Sequence, residues 1–556
     1  MTQENALEWL VASGGWYDET AMGLQEYPGM GLGAVALRDL EEDTLLFTVP
    51  SQLLLSAEHS DLRTHLSSAD WKDLVEIGGW TALILCMMWE DAQGVRSKWY
   101  GYLRTLPERF DTPMFWSEEE LKWLQGTDLL SKVGKASAEE TYKTKIVPLL
   151  EKYPEVFTPD KSATHRQIKH FSVDDFHVQG SRMLSRSFSV PKSSADRDLL
   201  GDVSMQSGED QGDGSDAAMS ADGVDGEAEQ AGEVKNHRED EERDVSDAEE
   251  NNDDDDDDDD SDTEAEEEEV MVPVADILNA AFDLDNANLS FEDGRCQMSS
   301  TKRIAKGEQI FNTYGGPSNS YLLRRYGHVD ALPLPTDLVK RFSLELRTWP
   351  YGNVADDFEI SGEVVLEAVV EDWRERNKGK AGDETAFRAK MVERVDRWLE
   401  ASGFGDTFVM EYDVDESLDE MIAFVRLLAM DDTTFEAGRE KQKIPKPKIE
   451  VESDGKQVIR ILKAVLDAQR RGLDQDAKTI LAALDKHKAE ALPLNQYHAY
   501  IIKAAIHRLL YLAEKELDDR LKAAVKSAQE KARGGKKRGH SETKGGGNKK
   551  PKTKVK

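Results

Sequence analysis

At 556 residues the chain is too long for one compact domain of ~100–200 residues, and it carries a formal net charge of −39. Its hydrophobic fraction is 39% against 33% charged, below the roughly 45–50% apolar content of globular chains, so part of it is expected to stay unfolded. Two cysteines, Cys86 and Cys296, exclude a disulfide framework and a zinc cluster built from cysteines alone, and they fit a reducing compartment.

The opening MTQENALEWLVASGG is acidic, so a secretory signal is not expected there. The longest apolar run, around Leu83–Trp89, is far short of the ~20 residues that cross a bilayer. A soluble, intracellular protein is expected. From Gly29 to Leu55 the pattern predicts short strands: GMGLGAVAL, a polar turn, then TLLFTVP stopped by Pro50. From Trp71 to about Gly180 the spacing is helical. WTALILCMMWEDA predicts a buried helix, and Ser117 with Glu120 forms a capping-box pattern ahead of Leu121 and Leu124.

Residues 201–270 hold 32 Asp/Glu against 3 Lys/Arg and no aromatic residue, including eight consecutive aspartates, Asp253–Asp260. Such a segment buries too little apolar surface to offset the entropy of ordering, so 191–269 is predicted to be a disordered acidic loop. Without residues 201–270 the rest is only mildly acidic. Strand-like text resumes with VMVPVADILNAAF, NLSFEDG and RCQMSSTKRI. Beyond Asp357 the period is helical, as in VIRILKAVLDAQRRGL and AYIIKAAIHRLLYLAEKELDDRL. The last stretch, 530–556, holds 11 Lys/Arg against 2 Glu and reads as a basic disordered tail, a candidate nuclear-localisation patch.

Gly29-Met30-Gly31-Leu32-Gly33-Ala34 matches G-x-G-x-x-A by the letter. Tyr27-Pro28 precedes it and a strand follows, whereas a dinucleotide site needs a strand before and a helix after. The glycines therefore form either a plain turn or a loop whose bare backbone approaches a ligand. His165, His170 and His177 are irregularly spaced and lack a cysteine partner, so no metal site is expected. No G-x-S-x-G elbow or P-loop occurs.

The stretch PVADILNAAFDLDNANLSF through QMSSTKRIAKGEQIFNTYGGPSNSYLLRRYGHV resembles the SET-domain protein lysine methyltransferases. PGMGLGAVALRDLEEDTLLFTVP resembles their first SET segment; SKWYGYLRTLPERFDTPMFW and LSRSFSV resemble the helical insertion of one branch. That branch includes the Rubisco large-subunit methyltransferase, and the match is denser with its SETD-six-like members and their fungal ribosomal lysine methyltransferases. The last ~200 residues match more loosely, by helical pattern.

The resemblance implies an α+β protein with a β-rich, pseudo-knotted SET domain in two segments, 20–75 and 270–330. Between them it implies a helical insertion, 76–190, and the acidic loop, 191–269; after them come an all-α substrate-binding domain, 340–525, and the basic tail, 526–556. It implies S-adenosyl-L-methionine as cofactor and monomethylation of a lysine on a large-subunit ribosomal protein. Another nuclear substrate such as a histone, or an inactive SET-like scaffold, are the alternatives. The chain lacks the cysteines for the zinc module of histone-directed relatives.

Residue by residue, Tyr314 of N-T-Y-G is implied as catalytic. Met30, Gly31, Leu32, Gly33, Arg186, Asn279, Ala280 and Tyr326 are implied at the cofactor, and Arg186, Asp276, Tyr326 and Trp99 on the substrate side. Asp276 either contacts substrate or braces its segment, Arg186 is otherwise a solvated helix residue, and Trp99 is otherwise core. Ala280 stands where most relatives have histidine, so only a backbone contact is expected there, and His328 stands where the family usually has phenylalanine. The expected partner is a basic protein. Membrane and sequence-specific nucleic acid are not expected, and the chain is expected to be a monomer in the nucleus, also reaching the cytoplasm.

Overall fold

The computed structural model describes residues 4–77, 80–163, 168–191, 267–313, 315–378, 383–402, 405, 407–451, 453–487 and 490–538. Two compact units divide it: residues 1–110 with 134–316, and 111–133 with 317–556.

The first unit carries most of the strands; the second, mainly helical, holds two short antiparallel pairs, Leu332–Pro333 with Tyr351–Gly352 and Phe358–Ser361 with Thr407–Met410. A four-stranded antiparallel sheet runs in the order Trp16–Tyr17, Leu45–Pro50, Arg295–Ser300, Ala287–Glu292. A three-stranded sheet places Gly31–Ala36 between Met22–Tyr27 and Gln309–Ile310. Both are short because turn residues punctuate the text; their inward residues, among them Ala34, Phe47, Val49, Met298 and Ile310, form one core with Val270 and Val272. Gly33–Ala36 and Leu46–Val49 are buried without alternation, so both faces of these strands are covered, in keeping with the continuous apolar runs of GMGLGAVAL and TLLFTVP.

The insertion's helices pack a second core. In Thr81–Ala92 every residue from Ala82 on is buried, including Cys86. Its neighbour, Val173–Arg186, starts with Ser172 accepting the Asp175 N–H and with Asp174 and Asp175 in its first turn, and it ends on Arg186. Those charges complement the helix dipole at both ends. Between the two helices lies a buried polar lock: Arg182 donates to Asp91 at 3.2 Å and to the Pro107 carbonyl at 2.9 Å, and Gln179 donates to Asp91 at 3.1 Å and Asp175 at 3.2 Å.

Several boundaries differ from the sequence expectation. Residues 111–133, expected within the insertion, belong to the helical unit, where Trp116, Leu124 and Leu129 join its core. The predicted Ser117–Glu120 capping box is present, and Glu120 also accepts from Asn495 at 2.9 Å. The helical unit also begins at 317 rather than beyond 330: Asn353 donates to the Pro317 carbonyl at 2.9 Å, and Asn319 N–H to Asp356 at 3.1 Å. Finally, the helix from Leu494 runs to Arg538, so residues 526–538 extend a helix instead of forming a tail.

The acidic insertion is rooted in a ladder. Ser187–Pro191 pairs with Glu267–Met271, so Pro191 and residues 267–269 are strand. Val190 and Val270 anchor that ladder in the core. Residues 192–266, with the aspartate run, lie outside the described residues. In the second unit, Gly362–Arg376, Asp415–Ala429, Gly455–Gly472, Ala477–Lys486 and Leu494–Arg538 pack around Leu462, Val465, Phe424, Ile506 and Leu509. Among the described residues no helix is long and apolar enough to cross a membrane.

Candidate cofactor and substrate site

The glycine run makes a hairpin. Met30 N–H donates to the Tyr27 carbonyl at 3.1 Å, and Gly29 and Gly31 hold φ of +81° and +72°, which a side chain rarely adopts. The chain returns antiparallel, with Tyr27 opposite Gly31 and Gln25 opposite Gly33, and no helix follows. That removes the dinucleotide fingerprint. Gly33 is the tight point: a Cβ there would lie 2.5 Å from Asn279 Nδ2 and 2.7 Å from Gln309 Nε2. Both of those amide nitrogens are buried and have no hydrogen-bond partner. Leaving a buried donor unpaired costs about 1–3 kcal/mol, so two side by side on bare strand backbone mark a place that a polar ligand completes.

The D-x-L-N and N-T-Y-G segments meet at this cradle. Asn312 N–H donates to the Asn279 carbonyl at 3.0 Å. On its other side the segment 309–311 bonds to Asn286, whose Nδ2 donates to the Gln309 carbonyl at 3.0 Å and whose Oδ1 accepts Phe311 N–H at 2.7 Å. Tyr314 lies outside the described residues. Beside it, Gly315 takes φ +72° and donates its N–H to Thr313 Oγ1 at 3.0 Å. Ala280 is half-buried next to Asn279.

Three residues from Asn279 the chemistry turns ionic. Val274 sits at φ +74°, ψ −40°, a backbone conformation that is strained for a β-branched residue, and leads into the tight turn Ala275–Ile277. Asp276 in that turn is buried. Tyr102 Oη donates to its Oδ2 at 2.9 Å, and Arg186 Nη1 donates to its carbonyl oxygen and lies 3.7 Å from Oδ2. Asp276 Oδ1 and Arg186 Nε have no partner. Burial pushes the Asp276 carboxyl up to about 6, with Arg186 and then the Tyr102 hydrogen bond pulling the other way. Burial and the Asp276 charge hold the Tyr102 phenol well above its usual value.

Gly33, Asn279, Arg186 and Asp276 are thus brought into two adjoining clusters, while Met30 is exposed on the hairpin and Leu32 is half-buried. Tyr326 ends the helix Asn319–Tyr326 of the second unit, its ring 6.4 Å from Tyr321 and 6.2 Å from His328. Trp99 requires correction: it is 0% exposed, and its indole N–H donates to the Leu53 carbonyl at 2.8 Å, so it is core and cannot wall a groove. Of the three histidines, His165 lies outside the described residues, while His177 is buried near Glu139. Among the described residues no group of three or more His, Cys, Asp or Glu is placed to hold a metal ion. Sequence reasoning missed Tyr102 and gave Gln309 no role. Tyr102 stands in the same SKWYGYL stretch as Trp99, but its partner is 174 positions away, beyond any local pattern.

The model of the SET domain family matches residues 31–315, just over half the chain, and the chain belongs to that family. It is 28% identical over 304 residues to ribosomal lysine N-methyltransferase 4 of Saccharomyces cerevisiae, covering 54% of this chain and 49% of that protein. Against the protein of the same name in Schizosaccharomyces pombe the identity is 28%, over 60% of this chain and 69% of that one. With human N-lysine methyltransferase SETD6 it is 28%, over 55% and 50%. The alignments with the budding-yeast and human proteins thus span about half of their length. Among solved structures, Rubisco LSMT bound to AdoMet superposes with a TM-score of 0.55 at 17% identity, over 93% of this chain and 92% of that one, a likeness of fold.

Proposed function

We propose that the chain is an S-adenosyl-L-methionine-dependent protein-lysine N-methyltransferase whose substrate is a lysine of a large-subunit ribosomal protein. The observation that carries the first half is the cradle at Gly33: bare strand backbone against two unpartnered buried amide donors, tied by the Asn312–Asn279 bond to the N-T-Y-G segment. A cofactor with carboxylate and ribose acceptors fits that donor set. The names of the fungal relatives support the second half.

When bound, S-adenosylmethionine supplies a sulfonium methyl; the rest is asked of the protein. Gly33 backbone and the Asn279 and Gln309 amides hold the ligand, and Asn279 offers its backbone as well as its side chain. The Arg186–Asp276 pair shapes the substrate side. The target lysine must arrive neutral and in line with the methyl. A dry channel favours the free amine over the ammonium, and alignment alone lowers the barrier by several kcal/mol. Tyr314 is assigned to the methyl itself, its hydroxyl oxygen against the polarised methyl hydrogens and its ring as channel wall. The basic C-terminal stretch supports a nuclear location.

The test is transfer of tritiated methyl from S-adenosylmethionine to purified large ribosomal subunits, with the labelled protein and its methylation state read by mass spectrometry. Label on a histone and none on ribosomal protein would replace the substrate reading. Failure to bind S-adenosylmethionine by calorimetric titration would make the chain a SET-like scaffold and overturn the reading altogether.

A further inference from the structure

We propose that Tyr102 is a positioning residue for the substrate side of the site: its phenol keeps the Asp276 carboxylate ionised and aimed, and through it keeps the Arg186 guanidinium in place. The inference rests on the methyltransferase reading above.

Tyr102 is 1% exposed and cannot swing away. Its ring stacks on Trp9 at 6.0 Å between centroids, Trp9 Nε1 is bonded to the Lys98 carbonyl at 3.2 Å, and a Cβ on Gly101 would strike Trp9 at 2.4 Å. The short helix Tyr100–Leu103 is therefore clamped, and the single phenolic proton is delivered to Asp276 Oδ2. The charged and titratable groups facing this pair are few. Arg186, at the end of its helix, faces Asp276 and Tyr102, and Arg182, one turn earlier and already committed to Asp91, faces Tyr102.

A purely structural role accounts poorly for this arrangement. Burying a phenol, a carboxylate and an arginine costs more than packing apolar residues of similar volume. Here the network is also left open on one side: Asp276 Oδ1 and Arg186 Nε lack partners, and the Arg186 side chain keeps 28% of its surface. The strained Val274 just upstream places the carboxylate in this setting. Asp276, its carboxyl raised to about 6, is mostly ionised at neutral pH and loses its charge just below. Protonation removes the counter-charge of Arg186. Tyr102 opposes that protonation, because its hydrogen bond favours the ionised form.

The experiment is the pH profile of kcat/KM for methyl transfer by the full chain, beside an infrared titration of the free protein that follows the protonated-carboxyl band lost in Asp276→Asn. In the wild type both should show a transition near 6. In Tyr102→Phe, which keeps the ring, both should move up by about one to two pH units, since a hydrogen bond to a charged group is worth about that much. KM should rise more than kcat falls, and activity should recover at high pH. If the variant loses thermal stability while both transitions stay at the wild-type pH, Tyr102 is only a packing residue and the inference fails. Should Tyr102→Phe not fold, 3,5-difluorotyrosine at position 102 keeps the contact with a stronger donor, so both transitions must shift down; no shift again overturns it. A wild type that transfers no methyl sinks the functional reading instead, while the infrared titration still decides whether Tyr102 governs Asp276.

Discussion

The two units solve different physical problems with the same chain. In the helical unit the buried residues of Gly455–Gly472 (Val458, Ile459, Ile461, Leu462, Val465 and Leu466) recur at helical spacing and meet equally periodic faces of Asp415–Ala429 and Leu494–Arg538. Which of these residues are buried follows from their spacing along the helix. In the strand-rich unit the decisive contacts join residues far apart: Tyr102 to Asp276 across 174 positions, Arg186 to Asp276 across 90, and Gly33 to Asn279. There the core is ordinary, and the site sets two unpaired amide nitrogens against the bare backbone of Gly33, close in sequence to a strained valine. Stability and function thus draw on different kinds of contact.

That contrast can be broken from either side. The largest effect is expected at Tyr314→Phe, which should cut methyl transfer by ~10²–10³ with cofactor affinity nearly unchanged, because only an oriented polar contact felt in the transition state is lost. Steady-state kinetics with calorimetric titration checks it, and wild-type turnover would make Tyr314 a packing residue. Next, Leu462→Ala, at a fully buried position of the helical unit, should cost about 2–5 kcal/mol in denaturant unfolding by leaving a cavity. Under native conditions cofactor affinity should stay as it was; a large change in affinity would mean that the contrast is drawn too sharply.

Gly33→Ala should do the reverse. Its Cβ displaces the tips of two amides and presses on the edge of the Tyr27 ring at 3.0 Å, with no backbone in its way, so thermal unfolding should shift little. Cofactor affinity should fall by about 10- to 100-fold, the worth of roughly one to two misdirected hydrogen bonds. The smallest effect is expected from deleting residues 201–265. The stretch 201–270 holds 32 acidic against 3 basic residues, and charge of that density speeds encounter with a basic partner only while unscreened. Turnover on a basic substrate should drop a few-fold at low salt and converge with the full chain at high salt. A salt-independent loss would assign the segment a different role.

Much of this molecule was determined by local sequence. The buried helix Thr81–Ala92, the capping box at Ser117, the strands Gly31–Ala36 and Leu45–Pro50 and the long amphipathic C-terminal helices follow from periodicity and turn chemistry, because such elements are decided within a few residues. The motifs around Gly33, Asn279 and N-T-Y-G were legible for the same reason: each is a short, continuous run. Only the tertiary structure decided that Trp99 is core while Tyr102, three residues on, reaches Asp276. It also decided that residues 111–133 pack with the helical unit, and that Gly33 is bare because two amides from positions 279 and 309 face it. These outcomes depend on which distant segments share a buried space, and a pairing across a hundred or more residues leaves no mark on the spacing of either partner.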